Sequence, residues 1–139
     1  MSSLQIIENK ISTIQKYLSI LDRYKRHSRI DLENDVDIRG ATERYLYLAV
    51  QSVIDCAEAV IAYKKFRKPT TMSDTFYILH EEGVLSLEAI QPLIQMTGFR
   101  NIIVHGYERI NYDVVYDVLH HHLLDIEKFL EKIKEYCKV

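Results

Sequence analysis

The sequence predicts an all-α bundle, and three observations carry that expectation. Apolar residues recur at steps of three and four along almost the whole chain, the repeat of amphipathic helices. Only four Gly and two Pro interrupt 139 positions, too few for a turn-rich β architecture. Strand-type alternation is nowhere sustained, and no internal repeat or low-complexity tract is visible. The length and the 47% hydrophobic content suit one domain spanning residues 1–139. The expected architecture is an antiparallel bundle of four long helices plus a short fifth.

Leu4, Ile7, Ile11, Ile14, Leu18 and Leu21 mark the buried face of a first helix of about six turns. From His27 to Gly40 the pattern fails, and Ser28, Asp31, Glu33, Asn34, Asp35 and Asp37 read as a polar connector. A second helix is predicted from between Arg39 and Thr42 to about Lys65. Its centre, Tyr45 to Tyr63, is apolar nearly all round and should be buried by several neighbours. Phe66 to Met72 reads as a loop. Ser73 is the expected cap of a short helix ending at Gly83, because a serine oxygen satisfies free N–H groups and glycine tolerates a left-handed stop. Ser86 is the next cap; its helix runs to about His105, with Gly106 as the stop and Pro92 as a kink near the start. Asn111 caps the last helix, and Asp113 favours its positive end. Val115, Leu119, His122, Ile126, Phe129, Ile133 and Tyr136 form one stripe along it.

Composition excludes several function classes. The formal net charge is −2, so any attraction to nucleic acid must be local. Cys56 and Cys137 are too few for a disulfide scaffold and lack zinc-site spacing. The N-terminus carries charge too early for a signal-peptide core, and no eighteen-residue stretch is free of polar interruption, so no membrane span is expected. A reducing, cytoplasmic home is the default. His120, His121 and His122 point about 100° apart on a helix and cannot share one ion, so neither metal nor cofactor is expected there. His122, on the apolar stripe, reads as a satisfied core or interface histidine. No Gly-rich phosphate loop, Ser-His-Asp order or paired-carboxylate spacing stands out.

One charged residue breaks the pattern. Arg100 falls on the row Leu93, Met96, Arg100, Ile103, otherwise apolar. A permanent charge on such a face is costly unless an anion pairs with it. His105 follows five positions later, about 140° round the helix, so the two converge only if the last turn unwinds or a second subunit completes the site. A guanidinium fork for phosphate oxygens beside an imidazole that titrates near neutrality is a workable phosphodiesterase pair. Spacing alone leaves a structural reading open: His105 as helix-end chemistry, and Arg100 paired with a buried acid such as Asp55. Arg44, Gln51, Asp55 and Glu58 form a polar row on the second helix that faces solvent, lines a cleft or gives Arg100 its resting partner. Basic clusters at Arg23, Lys25, Arg26 and Arg29 and at Lys64, Lys65, Arg67 and Lys68 either track an RNA backbone or are solvated helix ends.

The stretch Arg100-Asn101-Ile-Ile-Val-His105-Gly-Tyr107 resembles the Arg-x4-His-x-Tyr signature of HEPN-domain toxins of the HepT type. Glu43-Arg44-Tyr-Leu with Ala49 to Asp55 resembles that family's second-helix segment, and Ser86 to Phe99 and Ile110 to Asp113 also fit, so similarity covers roughly residues 4 to 134. The resemblance implies a metal-independent endoribonuclease, the toxin of a toxin–antitoxin pair, working as a homodimer around a shared cleft. It implies Arg100 and His105 as catalytic positions, Asn101 as the accompanying polar residue, and attack by an RNA 2′-hydroxyl on its own phosphate. It implies that Tyr107 receives AMP from a partner nucleotidyltransferase, whose added charge beside Arg100 repels RNA. The alternative is a catalytically inert HEPN-like module that binds a nucleotide or a nucleotidyltransferase partner.

Overall fold

A computed structural model describes residues 2–105 and 111–139, and these form seven α-helices and one π-helical turn with no strand among them. Helix α1 (Ser3–Tyr24) starts at a reciprocal cap in which the Ser2 hydroxyl accepts from the Gln5 N–H and Gln5 accepts from the Ser2 N–H. It buries Ile7, Ile11, Ile14 and Leu21, the predicted face, chiefly against α3.

The predicted polar connector is a second helix. Ser28 and Asp31 form another reciprocal cap, and α2 (Arg29–Asn34) buries Leu32 completely. One buried apolar residue in six produces no readable periodicity, so the caps carry the only local signal. Helix α3 (Val36–Lys64) consequently begins before the expected Arg39 to Thr42 start, because the Asp35 carboxylate accepts from the Asp37 and Ile38 N–H groups. Its apolar window has a mean hydropathy of 1.4, long enough to cross a membrane by length and composition, and 56% of that window is buried inside the bundle. Helices α1, α2, α4 and α5 all pack on it, the several neighbours that its nearly all-round apolar centre requires.

Helix α4 (Met72–Glu81) is capped by Thr71, not Ser73: the Thr71 hydroxyl accepts from the Asp74 N–H at 3.0 Å, while the Ser73 hydroxyl meets Thr97 at 3.3 Å. Arg67, in a basic cluster read either as an RNA track or as a solvated helix end, reaches Asp74 at 2.8 Å and Glu81 at 2.9 Å. The Arg67 guanidinium, helped by the Thr70 N–H, holds the Asp74 carboxyl down at about 2. Gly83 takes a φ of +74° just beyond the helix end, the left-handed stop its sequence position predicts. Ser86 then caps α5 (Leu87–His105), accepting from the Ala89 N–H at 3.1 Å, and Pro92 lies inside this helix.

The last predicted helix has three parts. Asn111 caps α6 (Tyr112–Asp117), a π-helical turn occupies Val118–His122, and α7 (Leu123–Cys137) follows. A π turn adds a residue per hydrogen-bonded ring and so breaks the α-helical repeat locally. Leu123, directly after the turn, is buried and His122 is not, while Ile126, Phe129 and Ile133 of the predicted stripe stay buried. The His122 side chain is 37% exposed, with Asp125 and Asp117 each 3.0 Å from its two ring nitrogens. It is a satisfied histidine, as expected, but not a core one. Phe129 is buried and meets Phe76 edge to face at 6.4 Å, joining α7 to α4 in the centre of the bundle.

Candidate active site

The site starts from the odd residue of α5. Leu93, Met96 and Ile103 are buried, as their row predicts, and Arg100 among them is half-buried. Its guanidinium donates from Nε to the Gln51 Oε1 at 2.5 Å, from Nη1 to the Asn101 Oδ1 at 3.0 Å and from Nη2 to the Tyr47 hydroxyl at 3.5 Å. The Tyr47 ring lies under it, 5.2 Å from Cζ to the ring centroid. Every one of these partners is neutral. The carboxylate partner that the structural reading assigned to Arg100 is one step removed: Asp55 accepts from Gln51 Nε2 at 2.9 Å.

The supporting residues come from one face of α3. Arg44, Tyr47, Gln51 and Asp55 step by three, four and four, so they stack along the helix toward Arg100. Three of them belong to the predicted polar row. Tyr47 was missed, although its spacing between Arg44 and Gln51 carries the signal. Glu58 ends the row without joining the hydrogen-bond chain among the described residues; its carboxyl is pushed up by partial burial and then by the charge of Asp55.

Among the described residues, two arginines pair directly with carboxylates. Arg29 pairs with Glu33 at 2.9 Å and with Asp113, and Arg67 grips two carboxylates. Lys25 pairs with Asp22 at 3.2 Å. These pairs commit part of both basic clusters to internal partners. Arg44 is exposed and stands over the same tyrosine ring as Arg100, with its Cζ at 5.7 Å. Among the described residues neither Arg44 nor Arg100 meets a carboxylate, so Tyr47 carries two uncancelled guanidinium groups. A guanidinium has five N–H donors, and two of those on Arg100 take no partner among the described residues. That arrangement can bind an anion with planar geometry, a phosphodiester above all.

Asn101 is exposed and sits against the guanidinium. His105 is the final residue of α5, described by its backbone alone, and Tyr107 lies outside the described residues. His120 stacks on Tyr116 at 4.1 Å, and burial lowers the tendency of its imidazole to protonate. No group of three metal-ligating side chains occurs among the described residues, and the rings of His120 and His121 are 6.4 Å apart.

The chain also resembles proteins of a known family. The family model described as "Ribonuclease HepT-like" matches residues 14–133. The mRNA nuclease HepT of Shewanella oneidensis is 30% identical over 130 residues, covering 93% of this chain and 96% of that protein. The tRNA nuclease HepT of Aphanizomenon flos-aquae is 27% identical over 131 residues, 94% of this chain and 89% of its own length. A solved structure of a tri-AMPylated Shewanella oneidensis HEPN toxin in complex with MNT antitoxin superposes with a TM-score of 0.86 at 28% identity, over 94% of this chain and 97% of that one. This chain belongs to the HepT-like ribonuclease family.

Proposed function

We propose that this chain is the toxin of a toxin–antitoxin pair, a metal-independent endoribonuclease with Arg100 and His105 as its catalytic groups. The observation that carries the reading is a guanidinium held by three neutral side chains and neutralised by no carboxylate among the described residues. A purely structural arginine would gain most from a direct acid, as Arg67 does. In the proposed reaction the 2′-hydroxyl oxygen of one nucleotide attacks the adjacent phosphorus and the 5′-oxygen of the next nucleotide leaves. The products are a 2′,3′-cyclic phosphate and a free 5′-hydroxyl. Arg100 stabilises the charge that grows on the phosphoryl oxygens. His105 moves the proton, a contribution of roughly 10²–10⁴ in rate. Asn101 holds the guanidinium edge or the phosphate itself.

The names of the relatives support this reading, since both are nucleases acting on RNA. The proposed off switch is AMP attachment to Tyr107 by a nucleotidyltransferase antitoxin, supported by the AMPylated state and the MNT partner of the similar toxin. Each AMP brings a phosphodiester anion to the neighbourhood of Arg100, which competes with RNA for the same donors. The proposed assembly is a homodimer and the proposed location is the cytoplasm, where RNA is plentiful.

Purified protein is expected to cut RNA in the presence of EDTA. His105→Ala and Arg100→Ala are each expected to reduce cutting by about 10²-fold or more while leaving helical content intact. Undiminished cleavage by either variant would refute the assignment of that residue. Absence of cleavage by the wild-type chain would favour the inert-module alternative.

A further inference from the structure

We propose that Gln51, oriented by Asp55, is a positioning residue that fixes the Arg100 guanidinium without cancelling its charge. The inference rests on the reading of Arg100 as the phosphate-binding group. It begins with the direction of the hydrogen bonds. An ionised carboxylate only accepts, so the Gln51 amide must turn its NH2 toward Asp55, 2.9 Å away. Its carbonyl oxygen is then committed to the other side, where the Arg100 Nε–H donates at 2.5 Å. A reversed amide would set NH2 against N–H on one side and two oxygens against each other on the other. Asp55 therefore determines which end of Gln51 the arginine meets.

The grip is on the one guanidinium nitrogen that carries a single hydrogen. Holding Nε while the plane rests on Tyr47 removes both rotation about the side-chain axis and tilt of the fork. The remaining N–H groups, one on each terminal nitrogen, keep a fixed direction before any substrate arrives. Preorganised donors cost no rearrangement when charge develops in a transition state.

The residue type matters as much as the contact. Arg29 and Arg67 pair directly with carboxylates. At Arg100 the acid is displaced one helical turn along α3 and an amide stands between. A carboxylate at position 51 would still accept from the Arg100 Nε–H, but it would face Asp55 with a like charge and would compete with a phosphodiester for the same cation. The amide keeps the geometry and leaves the positive charge available.

The decisive variant is Gln51→Glu. A structural role predicts that stability and cleavage change together. The positioning role predicts that they separate: the new ion pair with Arg100 offsets the repulsion from Asp55 and keeps the thermal midpoint near that of the wild type, while kcat on RNA falls about tenfold or more. Gln51→Ala is expected to lower kcat with a smaller change in KM. Gln51→Glu cutting RNA at the wild-type rate overturns the proposal. The ¹⁵N-detected Arg100 Nε–H resonance reads the arrangement without any activity. It is expected as a resolved, slowly exchanging signal in the wild type, assigned by its loss in Arg100→Lys, and it is expected to broaden away in Gln51→Ala. Absence of that protected signal from the wild-type protein overturns the proposal on its own. A wild-type chain that cuts no RNA refutes the ribonuclease reading instead, and the resonance still decides the role of Gln51.

Discussion

At the scale of single residues, Arg44 tests how far the uncancelled charge extends. It shares the Tyr47 ring with Arg100, is exposed, and meets no acid among the described residues. A second phosphate of a bound strand, next to the one cut, would find this cation on the same face of α3. Arg44→Ala is therefore expected to raise KM and to flatten the dependence of log KM on log salt concentration by roughly 0.7, the loss of one phosphate contact to a single strand. An unchanged salt slope would mean that Arg44 touches no phosphate. The sequence flagged Arg100 because a charge in an apolar row is costly wherever the row packs, which is a local argument. It did not single out the partner that fixes Arg100, because Gln51 lies forty-nine positions away and only the packing of α3 on α5 brings them together. Tyr47 was invisible for another reason: as one of ten tyrosines it reads as packing until the guanidinium is seen above it.

At the scale of elements, the long helices were legible and the irregular ones were not. A repeated apolar face declares itself over many turns, as in α1. Helix α2 has one buried side chain, and the π turn changes the period by one residue without changing composition, so neither leaves a repeat to read. The π turn has a measurable consequence through His122. Its imidazole is raised above the ordinary value, first by the Asp125 carboxylate and then by Asp117, with burial acting in the opposite direction. A raised histidine contributes stability that is complete below its unfolded value near 6.5 and is lost as pH rises through the folded value. The thermal midpoint of the wild type should therefore exceed that of His122→Gln by most at about pH 5.5, and the gap should shrink toward about pH 8.5. His120 works in the other direction, because burial lowers it, so its own contribution fades as pH falls. Comparing wild type with the variant cancels that opposing contribution. A gap independent of pH would show that the two aspartates do not act on His122 through charge.

At the scale of the whole molecule, one buried cluster runs through all the long helices, so the α3 residues beneath Arg100 are anchored in the same core as α5 itself. That rigidity fixes the guanidinium but does not by itself bring His105 to it. The offset of about 140° between positions five apart on a helix persists in a regular α5, which extends to His105. In the proposed homodimer a neighbouring copy would remove the difficulty if the Arg100 of one protomer faced the His105 of its partner across the cleft. This arrangement makes a prediction that a site within one chain does not share. Arg100→Ala and His105→Ala proteins, each inactive alone, are mixed, unfolded and refolded together. Random pairing gives about half heterodimers, each with one intact composite site of two, so about a quarter of wild-type activity should return. If both groups acted from the same chain, every protomer in the mixture would lack one of them and no activity would return. Recovery that depends on protein concentration, together with its absence when the two variants are mixed without unfolding, would show that exchange of subunits rebuilds the site. No recovery after refolding, with dimers confirmed by light scattering, would place both groups of each site on one chain and require the last turn of α5 to unwind instead.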